Sequence, residues 1–213
     1  MALSIRADLH YCRLGADYVL LCLRTDRYLL LRGDSAECFE RFLSGAASRT
    51  DLAWLTEHQL VSNASGNSFA TCERIPPPTS SFHDIVIPPA PKIAVASVLV
   101  AQHLARRELA AQSLGAIIAS LGRVEPGVRE ADSAASLKLA AAFQRARRYA
   151  PAIDRCLVRG LAMKRMLRRR NCEAALVIGV AMPFSAHCWI QAGDVVLSDR
   201  LDTVLPYSPI LVA

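Results

Sequence analysis

Hydrophobic and polar positions alternate in short runs over the first third of the chain and then shift to a helical rhythm. Residues 9–13, 18–23 and 27–32 are three short apolar runs, separated at Gly15-Ala16-Asp17 and Thr25-Asp26 by turn residues. That is the pattern of a three-stranded meander. Gly33-Asp34-Ser35 then offers a helix start, and Phe39, Phe42 and Leu43 follow at helical spacing within residues 36–43. Residues 48–51 (Ser-Arg-Thr-Asp) offer a second cap before Leu52, Trp54 and Leu55, and the segment closes on Leu60-Val61. Three strands and three short helices predict a small winged-helix-like module over residues 1–68. Many domains of about 55–65 residues fold alone.

The character changes from residue 62 to 92. Asn63, Ser65, Gly66, Asn67 and Ser68 are followed by Pro76-Pro77-Pro78, Thr79-Ser80-Ser81, Pro88-Pro89 and Pro91. Proline removes backbone donors and fixes φ, so the stretch reads as an extended linker over 69–92, with at most an edge strand at 84–87. Beyond it, residues 93–121 and 133–148 carry amphipathic helical spacing, joined through a loop at 122–127. A helix beginning at Cys156, an apolar strand at 174–181, a strand through residues 185–190 and a short strand at 195–199 complete the chain. The fold class expected is α+β. Its second domain, residues 93–213, combines helices with an antiparallel sheet.

Composition narrows this picture. The chain has 213 residues, of which 53% are hydrophobic and only 6% aromatic, enough apolar material for two compact cores. The net charge of +6 invites a nucleic-acid reading. The positives are scattered, however, apart from residues 145–148 and 168–170, which fall near helix C-terminal ends where cations meet the macrodipole favourably. They read as solvated helix ends, and no nucleic-acid partner is expected. Seven cysteines without a CxxC pair suggest neither a zinc ribbon nor a disulfide framework, but buried thiols in a reducing compartment. The start of the chain lacks the pattern of a signal peptide. The most apolar window, residues 93–101, is broken by His103, Arg106 and Arg107 well short of the roughly 20 residues a membrane span needs. A cytoplasmic, soluble protein is expected.

The chemistry lies in the last third, in the order Cys156, His187, Asp199. Asp154 is placed to cap the helix that Cys156 opens, so the thiol would lie in the first turn, where free N–H groups and the dipole favour a thiolate. An imidazole and a carboxylate on neighbouring strands supply the base and the group that orients it. Asp199 is preferred over Asp194, which follows Gly193 and reads as the hairpin turn. Cys188 adjoins His187 and so points to the opposite face of its strand, and Cys172 reads as a loop residue. A zinc site made of Cys156, Cys172 and His187 lacks ligand pairs at characteristic spacing. Trp189, in phase with His187, is placed either to shield the imidazole–carboxylate pair from water or simply to fill the core.

Cys156-Leu157, Ala162-Met163-Lys164-Arg165-Met166-Leu167, Ala175-Leu-Val-Ile-Gly179-Val180, Ala186-His187-Cys188-Trp189 and Asp199, in that order, resemble the transglutaminase-like leader peptidases of lasso-peptide biosynthesis. Cys188 departs from the small residue often found between His and Trp in that family. The first third resembles, through the order of its elements, the recognition element that binds leaders of ribosomal peptides. The resemblance implies a catalytic triad of Cys156, His187 and Asp199. It also implies that a leader segment is held as an added strand beside Arg27, Tyr28, Leu29, Leu30 and Leu31, with the helix at 51–58, carrying Leu52 and Leu55, as the other wall. Tyr28, Leu30, Leu52 and Leu55 are equally suited to the module's own core. The implied partners are the precursor (leader) peptide and an asparagine-synthetase-like, ATP-dependent lasso cyclase. The sequence has no phosphate-cradling GxxxxGK[ST] or GxGxxG, so no cofactor or metal is expected in this chain. A non-catalytic peptide-binding scaffold and an acyltransferase with the same triad are the competing readings.

Overall fold

The computed structural model describes residues 3–63, 75–84, 89–122, 133–149 and 156–213. Asp154 as helix cap, the loop residues 123–127 and most of the expected 84–87 strand lie outside them. The chain divides into two compact units, Met1–Cys72 and Glu73–Ala213.

In the first unit, β1 (Ser4–Ile5) pairs with β5 (Val61–Ser62). Between them β2 (Leu9–Leu14), β3 (Asp17–Cys22) and β4 (Arg27–Leu31) form an antiparallel meander in which β4 is an edge among the described residues. Helices α1 (Asp34–Leu43) and α2 (Arg49–Glu57) follow. Phe39 anchors the core, fully buried and edge-on to Tyr11 and Tyr18, with ring centroids 5.3 and 5.2 Å away. Burying such a ring contributes about 1.5–3 kcal/mol. Ser48 and Asp51 form the reciprocal capping box of α2, and Arg41 of α1 donates to both oxygens of Asp51, at 3.0 and 2.7 Å. These bonds, Arg41 first and then Ser48, hold the Asp51 carboxyl well below the usual carboxylate range. The described residues hold two helices here where three were expected, with the β1–β5 pair as an addition.

In the second unit a five-stranded sheet has the order β10-β7-β8-β9-β6. Its members are β6 (Ser80–Ser81), β7 (Ala175–Ala181), β8 (Ser185–Ala192), β9 (Val195–Val196) and β10 (Ser208–Val212). The pairing is antiparallel except that β6 runs parallel to β9, a departure from the purely antiparallel sheet expected. Pro209 is tolerated in β10 because that strand is an edge and its ladder shifts register between Pro209 and Leu211.

Helices α3 (Lys92–Ala111), α4 (Leu114–Leu121), α5 (Ser133–Ala146), α6 (Cys156–Arg168) and α7 (Leu201–Val204) complete the unit. The helical spacing over 93–121 is two helices, not one. Ser113 breaks out to an extended conformation and its hydroxyl accepts from the Ala116 amide, starting a new helix. Helix α6 packs on β7 and β8, with α3 and α5 against it. On the opposite face Ala175, Val177, Trp189, Val196 and Val204 form a separate buried cluster. Lys164, buried in α6, donates to the carbonyls of Ala174 and Ala213, and burial pushes its ammonium down to about 8. Among the described residues no helix is long and apolar enough to cross a membrane.

The 69–92 segment differs from a free linker. Gln191 donates to the Pro76 carbonyl at 2.7 Å, Thr79 bonds the Asp194 backbone and side chain, and Ser81 is buried beneath the loop after β9. Its prolines are compatible with this because β6 sits on the sheet edge, where missing donors are harmless.

Candidate active site

Cys156 is the first residue of α6 and only partly buried, the position at which backbone N–H groups lack intrahelical partners. Burial pushes its thiol up. A hydrogen bond to His187, a second from the Cys188 backbone N–H, the imidazole charge and the Leu157 amide outweigh that and bring it below the ordinary thiol value.

His187 lies on β8, directly across the ladder from Gly179 of β7. Its Nε2 is 3.5 Å from Asp199 Oδ2, close enough for an ion pair though not aligned as a hydrogen bond. Burial disfavours its charge, but Asp199 and Cys156 together push its pKa up to about 9. Trp189 and Tyr207 wall the ring at centroid distances of 6.3 and 5.4 Å. Trp189 therefore fills the core and borders the imidazole as well. Gly179 makes this possible, since a Cβ there would lie 2.7 Å from Trp189 Cζ3 and 2.9 Å from Tyr207 Cβ.

Asp199 follows β9 in a short bend and not in the strand expected at 195–199, because β9 ends at Val196. The pairing continues in altered form: Leu197 donates to the Ile190 carbonyl, and the Ile190 amide donates to the Ser198 hydroxyl. This brings Asp199 beside His187 while Asp194 stays exposed in the turn. The carboxylate is a buried hub. Arg159 of α6 and Arg147, just past α5, donate to Oδ1 at 2.7 and 2.8 Å, and Ser198 donates to Oδ2 at 2.7 Å. Ser81 donates to its backbone carbonyl at 2.5 Å. Burial pushes the Asp199 carboxyl up, but His187, Arg159 and Ser198 hold it well below the usual range.

Arg147 belongs to the basic cluster at 145–148 expected to be solvated; two of its three arginines are otherwise engaged. Arg147 reaches Asp199, and Arg145 donates to the Ala90 carbonyl. Arg159 and His83 escaped the sequence reading altogether. His83 lies in the turn Phe82–Asp84, its imidazole pushed down by burial and then by Arg147. Its Nε2 is buried and makes no hydrogen bond among the described residues. Cys188 is buried facing α6, and Cys172 is buried after the C-terminal end of α6. Among the described residues no three His, Cys, Asp or Glu side chains are grouped as a metal would need.

The expected leader-binding residues separate into two kinds. Leu29 and Leu30 are exposed on β4, Arg27 is exposed, and Tyr28 and Leu52 are half-buried. Leu31 and Leu55 are not surface residues; both are buried in the unit's core with Phe39. Leu31 turns inward because the strand alternates and its partner Tyr18 faces the same core.

Residues 98–212, more than half of the chain, match the family model described as the transglutaminase-like superfamily. Over 45 residues the chain is 47% identical to the Microcin J25-processing protein McjB of Escherichia coli. That stretch makes up 21% of this chain and only 22% of the relative's length. No solved structure matches. The model match spans α3 to β10 and takes in the thiol, the imidazole and the carboxylate just described: this chain belongs to the transglutaminase-like superfamily.

Proposed function

We propose that this protein is a cysteine peptidase that removes the leader segment from a ribosomally made lasso-peptide precursor. The observation that carries the reading is the helix-start thiol hydrogen-bonded to an imidazole that is itself backed by a buried carboxylate. The 47% identity to a microcin-processing protein points the same way. In the reaction the Cys156 thiolate attacks the scissile carbonyl carbon, and the His187 imidazolium gives its proton to the departing amine. Water, losing a proton to the imidazole, then attacks and splits the thioester, freeing the carboxylic acid product and restoring the Cys156 thiolate beside the imidazolium. Asp199 orients the ring and favours its charged form. The Cys156 backbone N–H, at a helix start where such groups lack intrahelical partners, would be one donor for the oxyanion.

The leader would add as a strand along the open edge of β4, by backbone bonds to residues Arg27–Leu31. Tyr28, Leu29, Leu30 and Leu52 supply the side-chain contacts, and Leu31 and Leu55 hold the platform from within. The macrolactam would be closed by the separate ATP-dependent, asparagine-synthetase-like cyclase.

The test is leader removal from a lasso precursor peptide by the full chain and by Cys156→Ala. The variant should bind the leader as the parent does and cut none of it. Equal cleavage by the two overturns the peptidase reading. A parent that binds the precursor and never cuts it favours the scaffold.

A further inference from the structure

Gly160 lies one helical turn after Cys156 on α6, so the two share a face. Its backbone does not demand glycine, and glycine is a poor helix former. What demands it is a neighbour. A Cβ at position 160 would sit 2.9 Å from Cys188 Sγ, whereas the next atoms, Leu176 Cδ1 and Ile190 Cδ1, would be at 3.7 and 3.9 Å, ordinary contact distances. The Cys188 sulfur therefore fills the notch that the missing side chain leaves.

Cys188 also meets the nucleophile with its backbone. The Ile190 amide and carbonyl are turned away from β7, toward Ser198 and Leu197. Cys188, two residues earlier on the same strand, turns its amide to the same side. There the strand β9 has ended, and the amide donates to the Cys156 sulfur. Burial keeps the Cys188 thiol itself protonated, so it is a spacer and not a second nucleophile.

We propose that Cys188 is a positioning residue for the nucleophile. Its sulfur, seated against Gly160, fixes how closely α6 lies on β8, and so holds Cys156 where the Cys188 amide and the His187 ring both reach its sulfur. This rests on the reading of Cys156 as the nucleophile. Glycine and cysteine then form a size-matched pair, and enlarging one is corrected by shrinking the other.

The experiment is iodoacetamide labelling of Cys156 in the full chain as a function of pH, read by mass spectrometry, with the melting temperature recorded beside it. His187, the charged group on the thiol, and the groups behind it, Asp199, Arg159 and Arg147, are unchanged in every variant. The parent should label with a midpoint below the free-thiol value of about 8.5. Gly160→Ala should raise that midpoint by about one pH unit, because it pushes the sulfur away from the two donors that favour the thiolate. Cys188→Ala alone should raise it less, since it leaves a void and no clash. Gly160→Ala combined with Cys188→Ala should return it to within about 0.3 unit of the parent.

A merely structural role moves the melting temperatures and leaves the midpoints alone, and that result overturns the inference. If Gly160→Ala does not fold, the double variant decides. Folded with the parent's midpoint, it supports the pairing; unfolded, or folded with a free-thiol midpoint, it overturns it. A parent midpoint near 8.5 sinks the nucleophile reading and this inference with it. A depressed parent midpoint with unmoved variants sinks this inference alone.

Discussion

At the scale of single residues, the site's charge state follows from which groups face one another. The Cys156 thiol is held below its ordinary value and the His187 imidazole is raised to about 9, so a thiolate beside an imidazolium is the resting form between those two limits. In the proposed leader removal that imidazolium is the acid for the leaving amine. The rate should therefore rise as the thiol ionises, at a pH below its ordinary value, and fall as pH climbs through about 9, which a pH–rate profile of single-turnover cleavage checks. The same shift contributes to stability. A His whose folded value is raised stabilises fully below its unfolded value of about 6.5, and that contribution is lost as pH climbs through the folded one. Asp199, whose folded value is depressed, acts in the opposite sense: its contribution is present above about 3.9 and is lost in stronger acid.

The two aspartates of the hairpin should behave very differently. Asp199→Asn removes the charge that orients His187, and cleavage should fall by about 100-fold or more. It also strands buried Arg159 against a neutral amide, and losing one partner of a buried pair costs about 3–5 kcal/mol. A lowered melting temperature should accompany the lost rate. Asp194→Asn, exposed in the turn, should leave the rate within about twofold, since surface substitutions usually change little. Steady-state cleavage and thermal melts of both variants decide it, and an inactive Asp194 variant would mean that the wrong carboxylate has been paired with the imidazole. The residues of this trio were legible in the sequence because each sits in a local pattern: a helix start, a strand phase, the far side of a turn. Arg147 and Arg159 were not. A lone cation on a helix looks the same whether it faces solvent or a buried carboxylate 52 or 40 residues away, and only the folded packing tells them apart.

At the scale of elements, the strands and helices with strict periodicity were readable, and the misreadings fall where local chemistry gives two answers. Residues 93–121 keep an apolar rhythm through Gln112-Ser113, so one long helix and two capped helices look alike until the Ser113 hydroxyl is seen to cap. The stretch with Pro76-Pro77-Pro78 reads as linker because proline cannot serve a sheet interior, yet an edge strand makes no such demand. That stretch bears on the site, because Ser81 holds the Asp199 backbone and Asp84 accepts from the Leu201 amide on the far side of the same bend. Truncation makes the point measurable. A fragment starting at residue 73 keeps these bonds and one starting at residue 93 loses them. The shorter fragment should melt lower and label Cys156 with a higher pH midpoint, because Asp199 and hence His187 lose their support. Identical melting and labelling in the two fragments would reduce the stretch to a tether.

At the scale of the whole molecule, the chain has two units with separate cores, and under the proposed function they would divide two jobs that differ in their physical demands. Peptide capture by strand addition needs an open sheet edge and little else, and β4 offers one. Bond cleavage needs a rigid constellation, and buried partners on α6, the end of α5, β8 and the strap before α3 supply it. The two-part organisation was visible in the sequence as a change from strand rhythm to helical rhythm, and the first unit ends at Cys72, close to the expected residue 68; the second begins at Glu73 and not at 93, because part of the proline-rich stretch bonds to its sheet. Cutting between residues 72 and 73 should then separate the jobs. Residues 1–72 alone should bind a synthetic leader, measured by fluorescence polarisation, and Leu30→Asp should weaken that binding by about tenfold or more, since it places a charge on the apolar surface beside the added strand. Residues 73–213 alone should keep the depressed labelling midpoint of Cys156, because every contact that sets it lies within that unit. They should nevertheless cut a precursor slowly, for a tethered binding module raises the local substrate concentration into the millimolar range, and its loss removes that advantage. Adding residues 1–72 back in trans should recover part of the rate at saturating concentration. Tight leader binding by residues 73–213, or full-speed cleavage without the first unit, would show that recognition and chemistry share one unit after all.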